Sequence, residues 1–167
     1  MKLDQLQSCD ILLYKGTGWM SRLISWKTKS LYSHVAVTVG AEMNLAIESN
    51  TGSQAGVRAL DLRKLDANNI DVFRVKAEYS FKKEQVISYL VSALGAHYDF
   101  LGVIYLGVLK VINLPAANHF QIDKDYFCSE LVYAAFHSAG LDIVPQIGAA
   151  ETTSPGDIAR SPILQRC

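Results

Sequence analysis

Two short segments that alternate between apolar and polar side chains most strongly limit how this sequence folds. One runs from Tyr32 to Val39 and the other from Leu45 to Asn50, and the loop between them has the length of a hairpin connection. Segments of this kind pair as antiparallel strands when so short a loop joins them. The sequence therefore predicts a β-hairpin between residues 32 and 50.

Strand geometry decides which side chains of this hairpin share a face. Side chains alternate along a strand, so His34 lies with Ala36, and Glu48 lies with Asn50. A register that pairs even-numbered with even-numbered residues places His34 beside Glu48 or Asn50. Their Cβ atoms then lie about 5 Å apart if the residues are directly opposite, or about 7 Å apart on the diagonal. An odd register would separate them. We expect a polar partner for His34 on this face, with Glu48 as first candidate and Asn50 as second.

The rest of the sequence predicts an α+β fold. Helical spacing of apolar residues and glycine stops predict three helices: Trp19–Trp26, Phe81–Leu94 and Cys128–Gly140. Short apolar or turn-flanked runs predict further strands: Asp10–Tyr14, Ile70–Val75 and a short edge strand at Gly156–Ile158. The segment Val57–Leu65 has mixed character. With 167 residues and no internal repeat, the sequence predicts one domain over residues 1–167.

Cys128 stands at the start of the last predicted helix. The positive end of a helix dipole favours the thiolate form of a cysteine placed there, and the thiolate is the nucleophile. A thiol, an imidazole and a carboxylate are the parts of a cysteine hydrolase, here Cys128, His34 and Glu48. The competing interpretation is structural, because free cysteines and strand histidines are common in cores. His137 lies on the opposite side of its helix from Cys128, so we do not expect it to act as the base.

Composition excludes several function classes. Sixteen lysines and arginines balance sixteen aspartates and glutamates without a basic cluster, which argues against a nucleic-acid partner. The spacing of histidines and cysteines matches no zinc motif, and the scattered glycines form no phosphate-binding loop, so we expect neither metal nor cofactor. Three widely separated cysteines favour a reducing compartment.

Two segments bear on membranes and location. Residues Met1–Asp10 lack the apolar core of a secretory signal, so we expect a cytoplasmic protein, while delivery to the cell envelope by another route stays open. The apolar stretch Phe100–Ile112 is shorter than the roughly 20 residues that span a bilayer. A buried helix is the first interpretation of this stretch, and membrane or lipid contact is the second.

Seven segments, taken in chain order, resemble the circularly permuted branch of the NlpC-type papain-fold cysteine hydrolases, in particular its YiiX-like group. They are Asp10–Leu13, Tyr32–Val37, Ala46–Ser49, Gly56–Leu60, Tyr98–Asp99, Tyr126–Val132 and Ser154–Ile158. The histidine strand precedes the cysteine helix here, as the permuted branch requires. One departure is Cys9, where the family usually has glycine and where we expect a local change in packing.

The resemblance implies an antiparallel sheet or small barrel packed against helices, with the nucleophile at a helix N-terminus. It implies Cys128 as nucleophile, His34 as base and Glu48 as the group that orients the imidazole. It also implies that Tyr98 lies near the oxyanion or substrate pocket, although the backbone N–H of Cys128 is the stronger oxyanion-donor candidate.

We therefore expect a cysteine hydrolase or acyltransferase that cleaves an amide or ester through an acyl-enzyme. The resemblance implies a cell-wall peptide or an N-acylated amino compound as substrate. A non-catalytic module that binds a peptide or lipid in the same cleft is the alternative, and a structural protein is a third. The sequence leaves the scissile bond, the acyl acceptor and the oligomeric state open.

Overall fold

A computed structural model describes residues 3–16, 30–40, 42–50, 55–96, 128–147 and 153–167. The helix predicted at Trp19–Trp26, the candidate pocket residue Tyr98 and the apolar stretch Phe100–Ile112 lie outside these residues. No helix in the described part of the chain is both long and apolar enough to cross a bilayer.

The described strands form one six-stranded antiparallel sheet. They are β1 Ile11–Lys15, β2 Tyr32–Gly40, β3 Leu45–Asn50, β4 Gly56–Asp61, β5 Ile70–Val75 and β6 Leu164–Arg166, in the spatial order β4-β3-β2-β1-β5-β6. The first strand therefore lies inside the sheet, hydrogen-bonded to β2 on one side and β5 on the other. The strands predicted near residues 10–14, 32–39, 45–50 and 70–75 are confirmed.

The register of the β2–β3 hairpin pairs even-numbered residues with even-numbered residues. Ala36 lies opposite Glu48 and Thr38 lies opposite Ala46. This is the register that the predicted proximity of His34 and Glu48 requires, with the two residues on a diagonal. The ladder is irregular beside His34, where the β1–β2 register shifts between Tyr14 and Lys15. Such bulges bend a strand and redirect its side chains.

Three α-helices are described: α1 Lys83–Ser92, α2 Cys128–Ser138 and α3 Pro155–Ala159. The turns after α1 and α2 contain Gly95 and Gly140, with φ of +84° and +83°. These values lie in the left-handed region that glycine adopts without steric cost, which explains why both helices stop where the sequence predicts.

The sheet is covered on both faces. A larger apolar cluster joins odd-numbered strand residues to the helices and includes Val35, Ile47, Leu90, Leu131 and Phe136. A smaller cluster on the even-numbered face is formed by Leu6, Leu12, Ala36, Ala46, Leu62, Ile70 and Val72. Burial on two faces makes the central strands continuously apolar, which is the pattern of Ile11–Leu13 and Val35–Val37.

The prediction of an edge strand at Gly156–Ile158 is wrong, because these residues belong to α3. Ser154 is the N-cap of this helix, and its side chain and that of Asp157 form a reciprocal capping box, with Pro155 in the first turn. A capping box satisfies backbone donors at a helix start, and proline favours the first helical position. The edge strand instead lies a few residues later, as β6, which pairs with β5.

Cys9 occupies a backbone position that suits glycine. Its φ is +70°, in the left-handed region, and its side chain is only 2% exposed. The thiol points to the carbonyl oxygen of Lys83, at 3.7 Å. The left-handed backbone is a conformational reason for glycine to suit this position, and in this chain the cysteine also fills part of the core.

Candidate active site

The three candidate catalytic residues lie on three different elements. Cys128 is the first residue of α2, His34 lies near the start of β2, and Glu48 lies in β3. The helix start is held in place by the neighbouring Ser129, whose buried hydroxyl donates a hydrogen bond to the carbonyl oxygen of Thr153 at 2.6 Å. Rigid elements therefore present all three side chains.

His34 is hydrogen-bonded to Glu48. The distance from His34 Nε2 to Glu48 Oε2 is 2.8 Å, and Glu48 is only 5% exposed. Because the carboxylate accepts, it fixes the imidazole tautomer with a proton on Nε2. Glu48, the first of the two candidates, makes this contact, while Asn50 lies opposite Gly56 in the β3–β4 ladder.

The Cys128 thiol lies beside the same imidazole, close enough for its charge and hydrogen bonding to act on the pKa of His34. Since Nε2 faces the carboxylate, Nδ1 is the ring nitrogen that remains for the thiol. Burial by itself would lower the pKa of His34, but the charge and hydrogen bond of Cys128 and those of Glu48 outweigh it and raise this pKa to about 10. The imidazolium form is therefore favoured at neutral pH.

Arg58 extends this chain of contacts beyond Glu48. It lies directly opposite Glu48 in the β3–β4 ladder, and its Nε and Nη2 both donate to Glu48 Oε1, at 3.0 and 2.8 Å. Burial alone would raise the pKa of the Glu48 carboxyl, but His34 and Arg58 hold it below its usual value. The sequence analysis assigned no role to Arg58, because the strand that carries it was not recognised.

Tyr14 is a second neighbour that the sequence analysis missed. It lies opposite His34 in the β1–β2 ladder, and the two rings meet edge-on with centroids 5.2 Å apart. Burial, reinforced by the charge of Glu48, raises the pKa of the Tyr14 hydroxyl, which therefore stays protonated. This buried hydroxyl has no hydrogen-bond partner in the described part of the chain.

The other buried carboxylates of the described residues are Asp10 and Asp71, and both are paired with arginine but not with histidine. Asp10 binds Arg74, with Nε at 2.6 Å. Asp71 accepts from the Tyr32 hydroxyl at 2.6 Å and also binds Lys15 and Arg166. Glu48 is thus the buried carboxylate in these ranges that is paired with a histidine.

The remaining sequence-based candidates lie elsewhere. His137 is exposed on α2 and stacks on Tyr133, with ring centroids 5.5 Å apart, so it is separate from the Cys128–His34 contact. Tyr98 lies outside the described residues. Those residues hold no group of three or more His, Cys, Asp or Glu side chains that could bind a metal ion.

A thiol, an imidazole and a carboxylate in this order form a proton-transfer chain with a nucleophile at one end. Such a chain can hold a thiolate beside an imidazolium, and the imidazolium can then protonate a leaving group. The helix N-terminus adds a backbone N–H and a positive dipole beside the thiol. The arrangement is therefore suited to acyl transfer.

Comparisons with known proteins agree with this chemistry. Residues 5–165 match the model of the permuted papain-like amidase enzymes, the YaeF/YiiX or C92 family. The fold is similar to a solved structure described as metalloprotein yiiX from Escherichia coli O157:H7, with a TM-score of 0.71 and 19% sequence identity, over 98% of this chain and 97% of that one. Proteins with curated descriptions give no match to the sequence.

Proposed function

Since the chain belongs to the permuted papain-like amidase family, we propose that it is a cysteine hydrolase in which Cys128 is the nucleophile, His34 the acid–base group and Glu48 the orienting carboxylate. The observation that carries the proposal is the position of His34, which lies beside the Cys128 thiol and is hydrogen-bonded to the Glu48 carboxylate. A histidine that only stabilised the core would not need a thiol at a helix start as its second partner.

The reaction begins with attack of the Cys128 thiolate on the carbonyl carbon of an amide. The negative charge that develops on the carbonyl oxygen is stabilised by the backbone N–H of Cys128. The His34 imidazolium gives its Nδ1 proton to the leaving nitrogen, the C–N bond breaks, and an acyl-enzyme thioester remains.

The second half of the reaction regenerates the enzyme. Neutral His34 takes a proton from water, and the resulting hydroxide attacks the thioester carbonyl. The C–S bond breaks, which restores the thiolate beside the imidazolium and releases a carboxylic acid. An amine or alcohol in place of water would give acyl transfer, and an ester in place of the amide would follow the same path. Glu48 keeps the imidazole oriented throughout.

The substrates that we propose are a cell-wall peptide or an N-acylated amino compound. Both carry an acyl group on nitrogen, and the zero net charge of the chain favours neither. This choice follows from the family and is the part of the proposal that a substrate screen must decide.

No step is assigned to a metal, although the similar Escherichia coli structure is described as a metalloprotein. The carboxylate oxygens of Glu48 are engaged by His34 and Arg58, at 2.8 Å each for Oε2 to Nε2 and Oε1 to Nη2. His34 Nε2 is likewise engaged by Glu48, which leaves Nδ1 as the ring nitrogen open to the thiol. The described residues of the site do not fit a metal.

The first test is the rate at which iodoacetamide alkylates Cys128 as a function of pH, measured by peptide mass spectrometry. We expect rapid alkylation at pH 6, and a rate about a hundredfold lower at that pH in His34→Ala, since the imidazolium no longer stabilises the thiolate. His137→Ala is the matched control and should leave the rate unchanged. An equal rate in wild type and His34→Ala would contradict the assigned pair.

The second test asks whether Cys128 forms an acyl-enzyme with a substrate. Peptide and N-acyl amine substrates are incubated with the protein, and intact-mass spectrometry detects an acyl group on Cys128. Cys128→Ala should show neither the adduct nor turnover. A reactive thiolate that gains no acyl group from either class would instead support the alternative, a module that only binds its ligand.

A further inference from the structure

We propose that Arg58 is a positioning residue of this active site, which orients Glu48 and thereby sets the proton affinity of His34. The inference rests on the proposed function and adds a fourth residue to it. Arg58 touches neither the thiol nor the imidazole in the described contacts, so its effect on the reaction passes through the carboxylate.

The two carboxylate oxygens of Glu48 bind different partners. Both donors of Arg58 bind Oε1, at 3.0 and 2.8 Å, while Oε2 faces His34 Nε2 at 2.8 Å. Two charge-assisted bonds from one guanidinium to a single oxygen fix the position of that oxygen. With Oε1 held in this way, the Glu48 side chain has little freedom to turn Oε2 away from the imidazole.

The charges along the site alternate when the thiolate has formed. Cys128 is negative, His34 positive, Glu48 negative and Arg58 positive. The four charges therefore sum to zero, as a Cys128–His34 pair and a Glu48–Arg58 pair. The groups that face Glu48 from the packed strands are His34 on β2, Arg58 on β4 and Tyr14 on β1, and the Tyr14 hydroxyl donates to none of them. Without Arg58, His34 would be the one remaining cation among these groups to hold a buried carboxylate ionised.

The position of Arg58 is itself fixed, although β4 is an edge strand of the sheet. The preceding residue, Val57, donates its N–H to Ala96 at 2.7 Å and accepts from the N–H of Gly95 at 2.9 Å. These two bonds attach the start of β4 to the turn after α1. The guanidinium is about one-third exposed, at 35%, so its far side reaches solvent while its near side is held on Glu48.

The test compares the pH profile of Cys128 alkylation in wild type, Arg58→Met and Arg58→Lys. Loss of the guanidinium raises the pKa of Glu48, so the acid limb of the profile should move to higher pH in Arg58→Met. At pH 6 we expect a rate about tenfold lower, as for the loss of one hydrogen-bonded charge pair. Arg58→Lys should recover part of this loss, because it keeps the charge but not the bidentate contact.

Arg63→Met is the matched control. Arg63 also forms an arginine–carboxylate pair, with Asp61 at the end of the same strand, where Nε and Nη2 bind different carboxylate oxygens. Neither residue contacts His34 among the described contacts. This variant should leave the acid limb in place. Arg58→Lys also keeps the test decisive if Arg58→Met folds poorly.

A double-mutant cycle separates this inference from the proposed function. If Arg58 acts through Glu48, then Arg58→Met should add no further loss in a Glu48→Gln background. An unmoved acid limb in Arg58→Met, or a full additional loss in Glu48→Gln, would overturn the role of Arg58 while the effects of His34→Ala and Glu48→Gln persist. An absence of any His34 effect would overturn the catalytic assignment and the role of Arg58 together.

Discussion

Cys9 and Cys128 are two buried thiols of one apolar cluster with opposite surroundings. Both are at least nine-tenths buried, with exposures of 2% and 8%. Cys9 points to a backbone carbonyl oxygen, and burial raises the pKa of its thiol to about 12. Cys128 begins a helix and lies beside the His34 imidazole. On the proposed function, the neighbouring charge, and not burial, would decide which of these core thiols acts as a nucleophile.

The largest expected difference between the two thiols is in their reactivity. With a pKa of about 12, Cys9 holds only about one thiolate in 10⁵ at pH 7. We expect iodoacetamide to modify Cys128 about a thousandfold faster than Cys9 in the folded protein. Peptide mass spectrometry measures both rates in one sample, with the exposed Cys167 as an internal reference for the reagent. Similar alkylation rates for the two buried thiols in the folded protein would contradict this contrast. In urea, which unfolds the protein, we expect the two alkylation rates to become similar.

A smaller effect comes from replacing Cys9 alone. Cys9→Ala keeps the left-handed backbone conformation and loses the sulfur, whereas Cys9→Gly removes the strain as well. We expect the free energy of unfolding of Cys9→Gly to exceed that of Cys9→Ala by up to about 0.5 to 1 kcal/mol. This gain is expected although glycine buries less apolar surface than alanine. Urea unfolding measures this difference. Greater stability of the alanine variant would show that packing outweighs strain at residue 9, and Cys128 alkylation should be unaltered in both.

A further effect of the buried Cys9 thiol concerns alkaline pH. The pKa of Cys9 is about 12 in the folded protein and about 8.5 in an unfolded chain. A raised pKa stabilises the fold fully below about pH 8.5, and this contribution is lost as the pH rises toward about 12. Between pH 8 and 11, wild type should therefore lose more stability than Cys9→Ala. Parallel urea midpoints for the two proteins across this range would contradict the assignment of the buried thiol.

The sequence was most informative where a contact depends on local geometry. Alternation within one hairpin predicts that His34 and Glu48 share a face, and a helix start next to an apolar run predicts the exposed backbone donors at Cys128. Parity alone could not choose between Glu48 and Asn50, because a slip of two residues along the strand keeps the same face. That choice needs the register, which depends on the bulge and on the whole sheet.

The contacts that sequence analysis missed cross between elements whose pairing is not local. Tyr14 reaches His34 because β1 inserts beside β2, and Arg58 reaches Glu48 through a strand that the mixed pattern of residues 57–65 concealed. The error at Gly156–Ile158 has a different origin. Proline and glycine favour a turn beside a short edge strand, whereas Ser154 and Asp157 carry a capping-box signal that predicts a helix.

The central place of β1 has a consequence for how the protein folds. Only the five residues Ile11–Lys15 join the β2-β3-β4 meander to β5 and β6 within the sheet. The meander can form from neighbouring segments, but β5 cannot add to the sheet until β1 has paired with β2. Because the β1–β5 pairing joins residues about 60 positions apart, it favours slow, cooperative completion of the sheet. The amide protons of β1 should accordingly be among the last to exchange with solvent, because their release requires both halves of the sheet to separate.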